Sequence, residues 1–347
     1  MDFGYHVINA NAPTKQALDQ LNHIPESLTL FVLDDEQHLI GSLTDGDIRR
    51  GLLAGLGIES PVSAFMNASC RSLKQNQFTL DDVRALKQMQ LHTIPLVDQE
   101  NRILRIYNLM QKRSVLPLDA MLMAGGEGTR LRPLTYTTPK PLLHIGEKPI
   151  IEYNIDRLNA YGVHHLTISI KYLGHQIREY FKDGQNKKMS IRYVEEDQPL
   201  GTIGAVRLVP EFSNEYILVM NSDLLTDIDF EDMFFELIAQ QGDMIVATTS
   251  YDVNIPYGVL ETTGELVHAL REKPTYTYYC NAGIYIFKKD VIDLIPEETF
   301  FNATDLMERI VEQGGRLLHY PIRGYWLDIG KMNDFEKAQD DIKHLKL

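Results

Sequence analysis

Apolar and polar positions follow two different periodicities along the chain. Segment 28–47 (LTLFVLDDEQHLIGSLTDGD) aligns without a gap on 92–111 (HTIPLVDQENRILRIYNLMQ), and each copy has two apolar runs around a polar turn, which is typical of a β-hairpin. Before each hairpin, apolar residues recur every three to four positions after Thr14 or Thr79, which predicts a helix with that threonine at its N-cap. Each unit is thus helix, strand, strand and a further helix, GDIRRGLLAGL in the first copy. The pattern predicts an internal repeat over residues 1–114.

From about residue 117, predicted strands alternate with predicted helices. Apolar runs such as LDAMLMA, HLTISI, SIRYVEE and YILVMNSD predict strands, whereas KPIIEYNIDRLNAYG, GHQIREYFKDG and GTIGAVRLV predict helices. This alternation implies right-handed crossovers and a mostly parallel sheet covered on both faces. We therefore predict a Rossmann-like α/β domain over 117–347 with a mostly parallel mixed sheet, preceded by an α+β domain over 1–114.

Composition narrows the functional classes. The 347 residues, 44% hydrophobic and 24% charged, predict a soluble globular protein of two domains. The net charge of −14 argues against a nucleic-acid partner, and no apolar run reaches membrane length or forms a secretory leader. We expect a cytoplasmic homo-oligomer. Cys70 and Cys280 alone exclude a four-cysteine zinc site, and the histidines lack metal-ligand spacing.

The repeat resembles a pair of CBS domains (a Bateman module), most specifically through GSLTDGDIRR. The resemblance implies an adenosine-type nucleotide as regulatory ligand, with Thr44 and Asp47 holding its ribose and phosphate. The second copy has Asn108 and Gln111 at the matching positions, so at most one half-site has the family's residues. An alternative is that Asp45 and Asp47 only cap and charge the first turn of a helix.

The stretch LMAGGEGTRLRPLTYTTPKPLL, residues 122–143, lies at the end of the first strand of the second domain, where such sheets bind ligands. A Walker A loop would end in Gly-Lys-Ser/Thr, and a dinucleotide loop would have a third glycine leading into a helix. This loop has neither, but its glycine backbone can approach phosphates closely. Arg130 follows the last glycine by two positions, and Lys140 stands ten further on.

The pattern Gly-Gly-x-Gly-Thr-Arg-Leu-x-Pro-x-Thr with a later Pro-Lys-Pro resembles the signature of sugar-1-phosphate nucleotidyltransferases. The segments QPLGTIGAV, MNSDLLTDID, REKP, NAGIYIF and YWLDIG then follow in that family's order, so the resemblance covers about 117–347. In the family's reaction, an oxygen of a sugar 1-phosphate attacks the α-phosphorus of a nucleoside triphosphate (NTP) and expels pyrophosphate. Positioning and electrostatics carry this chemistry, and no side-chain nucleophile is needed.

The resemblance also implies roles for single residues. Arg130 would bind the β- and γ-phosphates, Lys140 would steady the phosphates undergoing transfer, and Lys273 would hold the sugar phosphate. Glu272 and Asn281 would hydrogen-bond sugar hydroxyls. Contacts to the nucleotide are implied for Leu122, Ala124, Gly125, Gly126, Gly128, Thr129 and Gly201, and close backbone contact to the sugar for Gly258.

Two aspartates follow apolar strand-like runs, Asp223 after YILVM and Asp328 after GYWL. Taken alone, an aspartate at a strand end is more often a helix cap. The pair in register with the other motifs instead favours a Mg²⁺ site, because Mg²⁺ binds through one or two carboxylates plus substrate phosphates. Lys331 is a further cation without an assigned role.

The glycine-rich motif does not specify which nucleotide base or which sugar the protein would use. PLGTIGA is closer to mannose-1-phosphate guanylyltransferases and their heptose relatives, which favours GTP. A CBS pair ahead of the catalytic domain resembles enzymes that make GDP-glucosamine for nonulosonic (legionaminic) acids and surface glycans, which favours glucosamine 1-phosphate. The absence of hexapeptide repeats predicts no appended acyltransferase. Alternatives are a uridylyl- or thymidylyltransferase and a non-catalytic nucleotide-sugar sensor, although a degenerate sensor would be expected to lose cations or carboxylates that this chain retains.

Overall fold

The computed structural model describes residues 4–24 and 29–345, so Leu28 and the outer ends of both predicted domains lie outside the described residues. The chain divides into two compact units. Unit 1 comprises Met1–Pro117 with the short segments Leu158–His164 and Gln185–Met189, and unit 2 comprises the rest.

Unit 1 contains two copies of a small α/β motif. The first copy has β1 (Val7–Asn9), α1 (Thr14–Asn22), β2 (Thr29–Leu33), β3 (Leu39–Thr44) and α2 (Asp45–Leu53). The second copy has β4 (Leu73–Lys74), α3 (Leu80–Gln88), β5 (Thr93–Val97) and β6 (Ile103–Asn108).

The strand pairing confirms the internal repeat. In the first sheet β1 is parallel to β2, β2 is antiparallel to β3, and Thr29 pairs with Thr44. In the second sheet β4 is parallel to β5, β5 is antiparallel to β6, and Thr93 pairs with Asn108. Both hairpins have a register irregularity at the same place, before Leu33 and before Val97. Residues from both copies share one apolar cluster.

Two details of the predicted repeat were wrong. Thr14 is the first residue of α1 rather than its N-cap, and its hydroxyl donates to the Ser60 carbonyl at 2.8 Å. Thr79 is the N-cap of α3 as predicted. The second copy has no helix after β6, where residues 109–117 form a turn and an irregular segment. Leu109 and Val115 are buried in the core of that copy, and Pro117 follows, so the chain leaves the repeat without a further helical turn.

Unit 2 is built around one large sheet with helices. Its strands are β7 (Leu118–Ala124), β8 (His144–Ile145), β9 (Lys148–Pro149), β10 (His165–Ile170), β11 (Ser190–Glu195), β12 (Tyr216–Asn221), β13 (Leu224–Thr226), β14 (Met244–Asn254), β15 (Val259–Thr263), β16 (Leu266–Arg271), β17 (Thr275–Lys288), β18 (Leu317–Pro321) and β19 (Trp326–Asp328). Its α-helices are α4 (Ile150–Ala160, of which the residues up to Arg157 belong to this unit), α5 (Gly174–Phe181), α6 (Phe230–Ala239), α7 (Ala303–Glu312) and α8 (Met332–Asp341).

The large sheet has seven strands in the order β11-β10-β7-β12-β17-β14-β18. The first four are mutually parallel, β17 is antiparallel to both of its neighbours, and β14 is parallel to β18. This confirms the mostly parallel mixed sheet. The predicted helix in GTIGAVRLV is only a short 3₁₀ helix, Gly204–Leu208. The interior strand β7, third in this order, runs directly into the glycine-rich loop, so the topology puts that loop at the carboxyl edge of the sheet.

A β-arm extends from this sheet. The outer halves of β14 and β17 pair with each other from Thr249↔Cys280 to Asn254↔Thr275, and the hairpin β15–β16 lies between them in sequence. Most side chains between residues 250 and 280 are exposed. The predicted sugar-contacting residues Gly258, Glu272 and Lys273 all belong to this arm.

Candidate active site

A cleft of about 450 Å³ opens at the carboxyl edge of the large sheet. Gly125 and Gly126 border it after β7, Glu196 borders it after β11, and Ser222 and Asp223 border it after β12. Open α/β sheets bind ligands at this edge, where successive strands turn into the next element. The geometry therefore agrees with a ligand site beside the glycine-rich loop.

Gly128 fixes the path of that loop. Its φ of 61° and ψ of 35° lie in the left-handed region. A Cβ atom at this position would lie 2.9 Å from the Lys140 Cβ and 3.0 Å from the Thr135 Cγ2, so only glycine fits. The Thr135 hydroxyl also donates to the Gly128 carbonyl at 2.9 Å. The loop thus packs directly against the lysine that the motif places ten residues after Arg130.

The two predicted metal ligands are brought together by a short strand pair. β13 and β19 are antiparallel, and Leu224 pairs with Asp328, which puts Asp328 beside Asp223 at the preceding position. From α4, the buried Asn154 amide donates to the carbonyls of Ser222 and Leu224 at 3.2 and 2.9 Å. The Asn154 side chain on α4 therefore holds the backbone on both sides of Asp223.

Lys140 completes this charged group. Its side chain is buried, its Nζ donates to Asp223 Oδ2, and the same nitrogen lies 4.0 Å from Asp328 Oδ1. Burial, followed by the charge of Asp223, raises the pKa of the Asp328 carboxyl above its usual value, and the positive charges of Lys140 and Arg130 act in the opposite direction. The cation and the two carboxylates form one electrostatically coupled cluster.

The donor set fits a hard divalent cation. Asp223 Oδ1 is buried and has no hydrogen-bond partner, although Oδ2 of the same carboxylate is paired with Lys140. A buried carboxylate oxygen without a partner is costly, and a bound cation would satisfy it. Within residues 4–24 and 29–345, no three His, Cys, Asp or Glu side chains are grouped as a metal site. Two carboxylates plus substrate phosphates are the arrangement that Mg²⁺ accepts.

The predicted catalytic, metal and nucleotide-binding residues divide into two sets. Those that line the cleft are Ala124, Gly125, Gly126, Lys140, Gly201 and Asp223. Leu122 is buried inside β7, whereas Gly128, Thr129, Arg130 and Asp328 are not among the lining residues. Gly201 has a φ of 78°, and a Cβ there would lie 2.5 Å from the Phe301 carbonyl oxygen, so this position also requires glycine.

The predicted sugar contacts lie apart from the cleft lining. Gly258 and Glu272 adjoin each other, since a Cβ on Gly258 would lie 3.1 Å from a Glu272 carboxylate oxygen. Lys273 is exposed and has a φ of 43°. The Asn281 side chain accepts from the Gly283 N–H and donates to the Tyr285 hydroxyl, both at 2.9 Å. Their sugar-binding roles stay predictions.

Lys331 has a local structural role at its backbone. It is the N-cap residue of α8, and its N–H donates to the Asp334 carboxylate at 2.9 Å. Lys331 therefore begins the final helix directly after the strand that carries Asp328.

Sequence reasoning missed Glu196, which is buried at the border of the cleft. It directly follows the strand SIRYVE, just as Asp223 comes after YILVMN, so a polar residue after a predicted parallel strand was the available signal. Lys171 and Tyr172, which follow β10, also line the cleft and were missed for the same reason.

The predicted CBS ligand residues form a helix cap. Asp47 Oδ2 accepts from the Thr44 N–H at 2.8 Å and from the Thr44 hydroxyl at 2.6 Å, and Asp47 Oδ1 pairs with Arg50 at 2.5 Å. Thr79 and Asp82 make the same capping box at α3. Thr44, Asp47 and Arg50 nevertheless also line a cleft of about 270 Å³ within unit 1.

Comparison with known proteins agrees with this geometry. The nucleotidyl transferase family model matches residues 119–344, and the CBS domain model matches residues 1–54. The chain belongs to the nucleotidyl transferase family. This nucleotidyl transferase carries its glycine-rich loop, Lys140 and both aspartates within the matched region. No helix among residues 4–24 and 29–345 is long and apolar enough to cross a membrane.

Individual relatives differ in the nucleotide that they are named for. A mannose-1-phosphate guanyltransferase beta-A from Xenopus laevis is 34% identical, covering 63% of this chain and 62% of that protein. A UTP–glucose-1-phosphate uridylyltransferase from Synechocystis sp. is 31% identical, covering 64% of this chain and 62% of that protein. This nucleotidyl transferase thus matches less than two thirds of the length of each of these relatives.

A solved structure supports the fold. The crystal structure of a putative glucose-1-phosphate thymidylyltransferase from Bacillus anthracis in complex with a sucrose superposes with a TM-score of 0.54 at 22% identity. The superposition covers 66% of this chain and 97% of that chain.

Proposed function

We propose that this nucleotidyl transferase joins the nucleotidyl group of GTP to glucosamine 1-phosphate, giving a nucleotide sugar and pyrophosphate for surface-glycan or nonulosonic acid synthesis. The observation that carries the proposal is the cluster of Lys140, Asp223 and Asp328 at the carboxyl edge of the sheet, beside the loop that ends in Gly128. Such a cluster suits a reaction in which two polyanions must be brought together.

The chain's own residues would act by positioning and by stabilising charge. The backbone at Gly125 and Gly126 would approach the phosphates, and Lys140 would offset negative charge on the phosphate under attack. Arg130 would bind the β- and γ-phosphates, which favours departure of pyrophosphate. A sugar-phosphate oxygen forms the new bond to the α-phosphorus, and the bond from that phosphorus to pyrophosphate breaks.

Asp223 and Asp328 would hold Mg²⁺, which when bound neutralises phosphate charge and helps align the two substrates. The buried Asp223 Oδ1 without a hydrogen-bond partner supports this role. On the sugar side, we propose that Lys273 holds the sugar phosphate and that Gly258, Glu272 and Asn281 contact the sugar.

The base assignment is supported by the PLGTIGA segment and by the guanyltransferase among the relatives. Because another relative is named a uridylyltransferase, UTP is the alternative nucleotide for the same reaction. A sensor without catalysis is less well supported, because Arg130, Lys140, Asp223 and Asp328 are all retained.

We further propose that unit 1 binds an adenosine-type nucleotide as a regulator. The cleft bordered by Thr44, Asp47 and Arg50 also has Arg71 and His92 in its lining. A site with two guanidinium groups suits a phosphate-bearing ligand. A cytoplasmic location and a homo-oligomeric state also stay predictions, and sedimentation of the purified chain checks the second.

The test is a panel assay. Pyrophosphate release is measured with Mg²⁺ for each common NTP against glucosamine, mannose and glucose 1-phosphates. The proposal expects the highest kcat/KM for GTP with glucosamine 1-phosphate. Turnover only with UTP or dTTP would contradict the base, turnover only with another sugar would contradict the sugar, and no turnover with any pair would favour the sensor.

A further inference from the structure

The β-arm of unit 2 has two unlike faces. From Thr249↔Cys280 to Asn254↔Thr275 the described residues pair only β14 with β17, because the pairing of β14 with β18 ends at Thr248. Side chains alternate between the two faces of a strand, and directly paired residues of antiparallel strands share a face. The tyrosine face carries Thr249, Tyr251, Val253, Tyr276, Tyr278 and Cys280. The polar face carries Ser250, Asp252, Asn254, Thr275, Thr277 and Tyr279.

The polar face has partners of its own. Two threonine hydroxyls of β17 donate to the side chains of Asp252 and Asn254 at 2.7 and 2.6 Å. The ring centroid of Tyr279 lies 4.9 Å from that of His319. Asn281, a predicted sugar contact, follows Tyr279 by two positions and therefore lies on the same side of the strand. The polar face is thus the side of the arm that is available for a sugar.

The tyrosine face is apolar and open to solvent. Tyr251 and Tyr278 lie directly opposite each other and are 62% and 58% exposed. Val253 and Cys280 on the same face are exposed as well. A two-stranded ribbon is only marginally stable unless its apolar face packs against a further layer. This face therefore has the composition of a surface that another layer covers.

The arm carries enough exposed apolar area for a stable dimer. Taking about 200 Å² for each whole side chain, six of its side chains together expose roughly 800 Å². A standard interface covers about 800 Å² on each partner, whereas monomers rarely expose apolar patches beyond a few hundred Å². These six side chains, each 55–75% exposed, are Tyr251, Tyr257, Leu260, Leu266, Leu270 and Tyr278.

Charge favours a second copy of this chain as the occupant. The tyrosine face has no charged residue, whereas the chain has a net charge of −14. Two copies repel each other wherever carboxylates dominate both surfaces, so an uncharged face is where they can approach. A face that meets its own copy about a two-fold axis must be self-complementary, and tyrosines pack well against tyrosines. We propose that the tyrosine face is the homodimer interface. The proposal rests on the homo-oligomeric state proposed above and is independent of the reaction.

The test places a positive charge on each face in turn. Tyr251→Lys puts an ammonium group on the tyrosine face, and Ser250→Lys, at the preceding exposed residue, puts it on the polar face as the matched control. A two-fold interface contains each substitution twice. We therefore expect the dissociation constant of the dimer to rise at least roughly hundredfold in Tyr251→Lys and to change by less than about threefold in Ser250→Lys. Sedimentation velocity of the whole chain over a dilution series measures both constants. Circular dichroism and thermal unfolding check that both variants fold.

Cys280 gives an independent readout of the same interface. Its thiol is exposed and lies on the tyrosine face, two residues after Tyr278. In Cys70→Ser, bis-maleimides of graded length should join two chains through Cys280, and the further change Cys280→Ser should prevent the product. Tyr251→Lys in the Cys70→Ser background should lose the cross-link together with the dimer.

Each result decides a separate point. A dimer that persists in Tyr251→Lys, or that Ser250→Lys weakens equally, overturns the assignment of this face. A dimer without any Cys280 cross-link also overturns it, because two copies paired through this face bring both thiols to one interface. A monomeric wild type overturns the homo-oligomeric state as well, and a sugar phosphate or another protein would then be what covers the tyrosines. Sedimentation needs no substrate, so a failure of the proposed reaction leaves these results unchanged.

Discussion

Lys140 donates a hydrogen bond to one oxygen of Asp223 while the other oxygen of that carboxylate is buried without a partner. The lysine thus neutralises part of the charge and fixes the carboxylate, and the second oxygen is left for a cation. A carboxylate with one oxygen paired to a lysine and the other buried without a partner fits a ligand of a divalent ion beside substrate phosphates.

Asp223→Asn should lower kcat for pyrophosphate release by about a hundredfold or more, because the cation ligand loses its charge where phosphate charge must be stabilised. Steady-state assays over a Mg²⁺ titration measure the effect. Asp290→Asn, at an exposed position, serves as control and should retain activity. Half or more of the wild-type rate in folded Asp223→Asn would exclude its metal role.

Two glycines of the glycine-rich loop, Gly128 and Gly126, give a matched pair of variants. Gly128→Ala places a Cβ against Lys140 in a left-handed conformation, so we expect lower thermal stability by about 1–3 kcal/mol and a kcat reduced at least roughly tenfold. Gly126→Ala meets no atom within 4 Å, so it should fold normally and raise only the KM for the NTP. Calorimetry and kinetics on both variants check this, and equal effects would be inconsistent with Gly128 supporting Lys140.

The two capping boxes separate a structural role from ligand binding. Asp47→Ala and Asp82→Ala should each reduce unfolding free energy by about 1 kcal/mol, because each removes an equivalent helix cap. Added AMP or ATP should raise the melting temperature of the wild type and Asp82→Ala but not of Asp47→Ala. Equal stabilisation of all three by the nucleotide would show that Asp47 acts as a cap alone.

The environment of Lys112 predicts that the free energy of unfolding depends on pH in a specific way. Burial, with Lys188 and Arg105 nearby, lowers the pKa of its ammonium group to about 8. The unfolded chain retains a value near 10.4, so it binds more protons between about pH 8 and pH 10, and the wild type gains stability from this residue as pH rises through that window. Lys112→Met abolishes the gain.

Urea unfolding of the wild type and Lys112→Met from pH 7 to pH 10 measures this effect. The unfolding free energy of the variant minus that of the wild type should fall as pH rises, since the charged lysine is unfavourable only at the lower pH. A difference that stays constant over the whole range would mean that the lysine keeps its ordinary pKa in the folded state.

Local patterns were sufficient for much of the fold. The repeat appears in sequence because each hairpin buries the same alternating positions, and the pairing of Thr29 with Thr44 and Thr93 with Asn108 reproduces it. The missing last helix of the second copy could not be predicted by symmetry. Burial of Leu109 and Val115 decides that segment, and burial depends on tertiary packing.

The candidate site was also predictable only in part from the sequence. The sequence pattern placed Gly125 and Asp223 after predicted strands, and both line the cleft because the carboxyl ends of parallel strands meet at that edge. Spacing gave no indication that Glu196 would be buried beside Gly125, since that contact joins the loop after β7 to the residue after β11. Nor could it indicate that Glu272 and Lys273 lie on an extended arm rather than in the cleft lining.

Transfer of the nucleotidyl group is followed with GTP labelled in its α-phosphate, incubated with glucosamine 1-phosphate and Mg²⁺. We expect the label to appear in GDP-glucosamine with one pyrophosphate released per labelled product, and we expect Asp223→Asn to form neither. Recovery of all label as unreacted GTP, or its release without a nucleotide sugar, would show that the protein does not transfer the nucleotidyl group to this sugar phosphate.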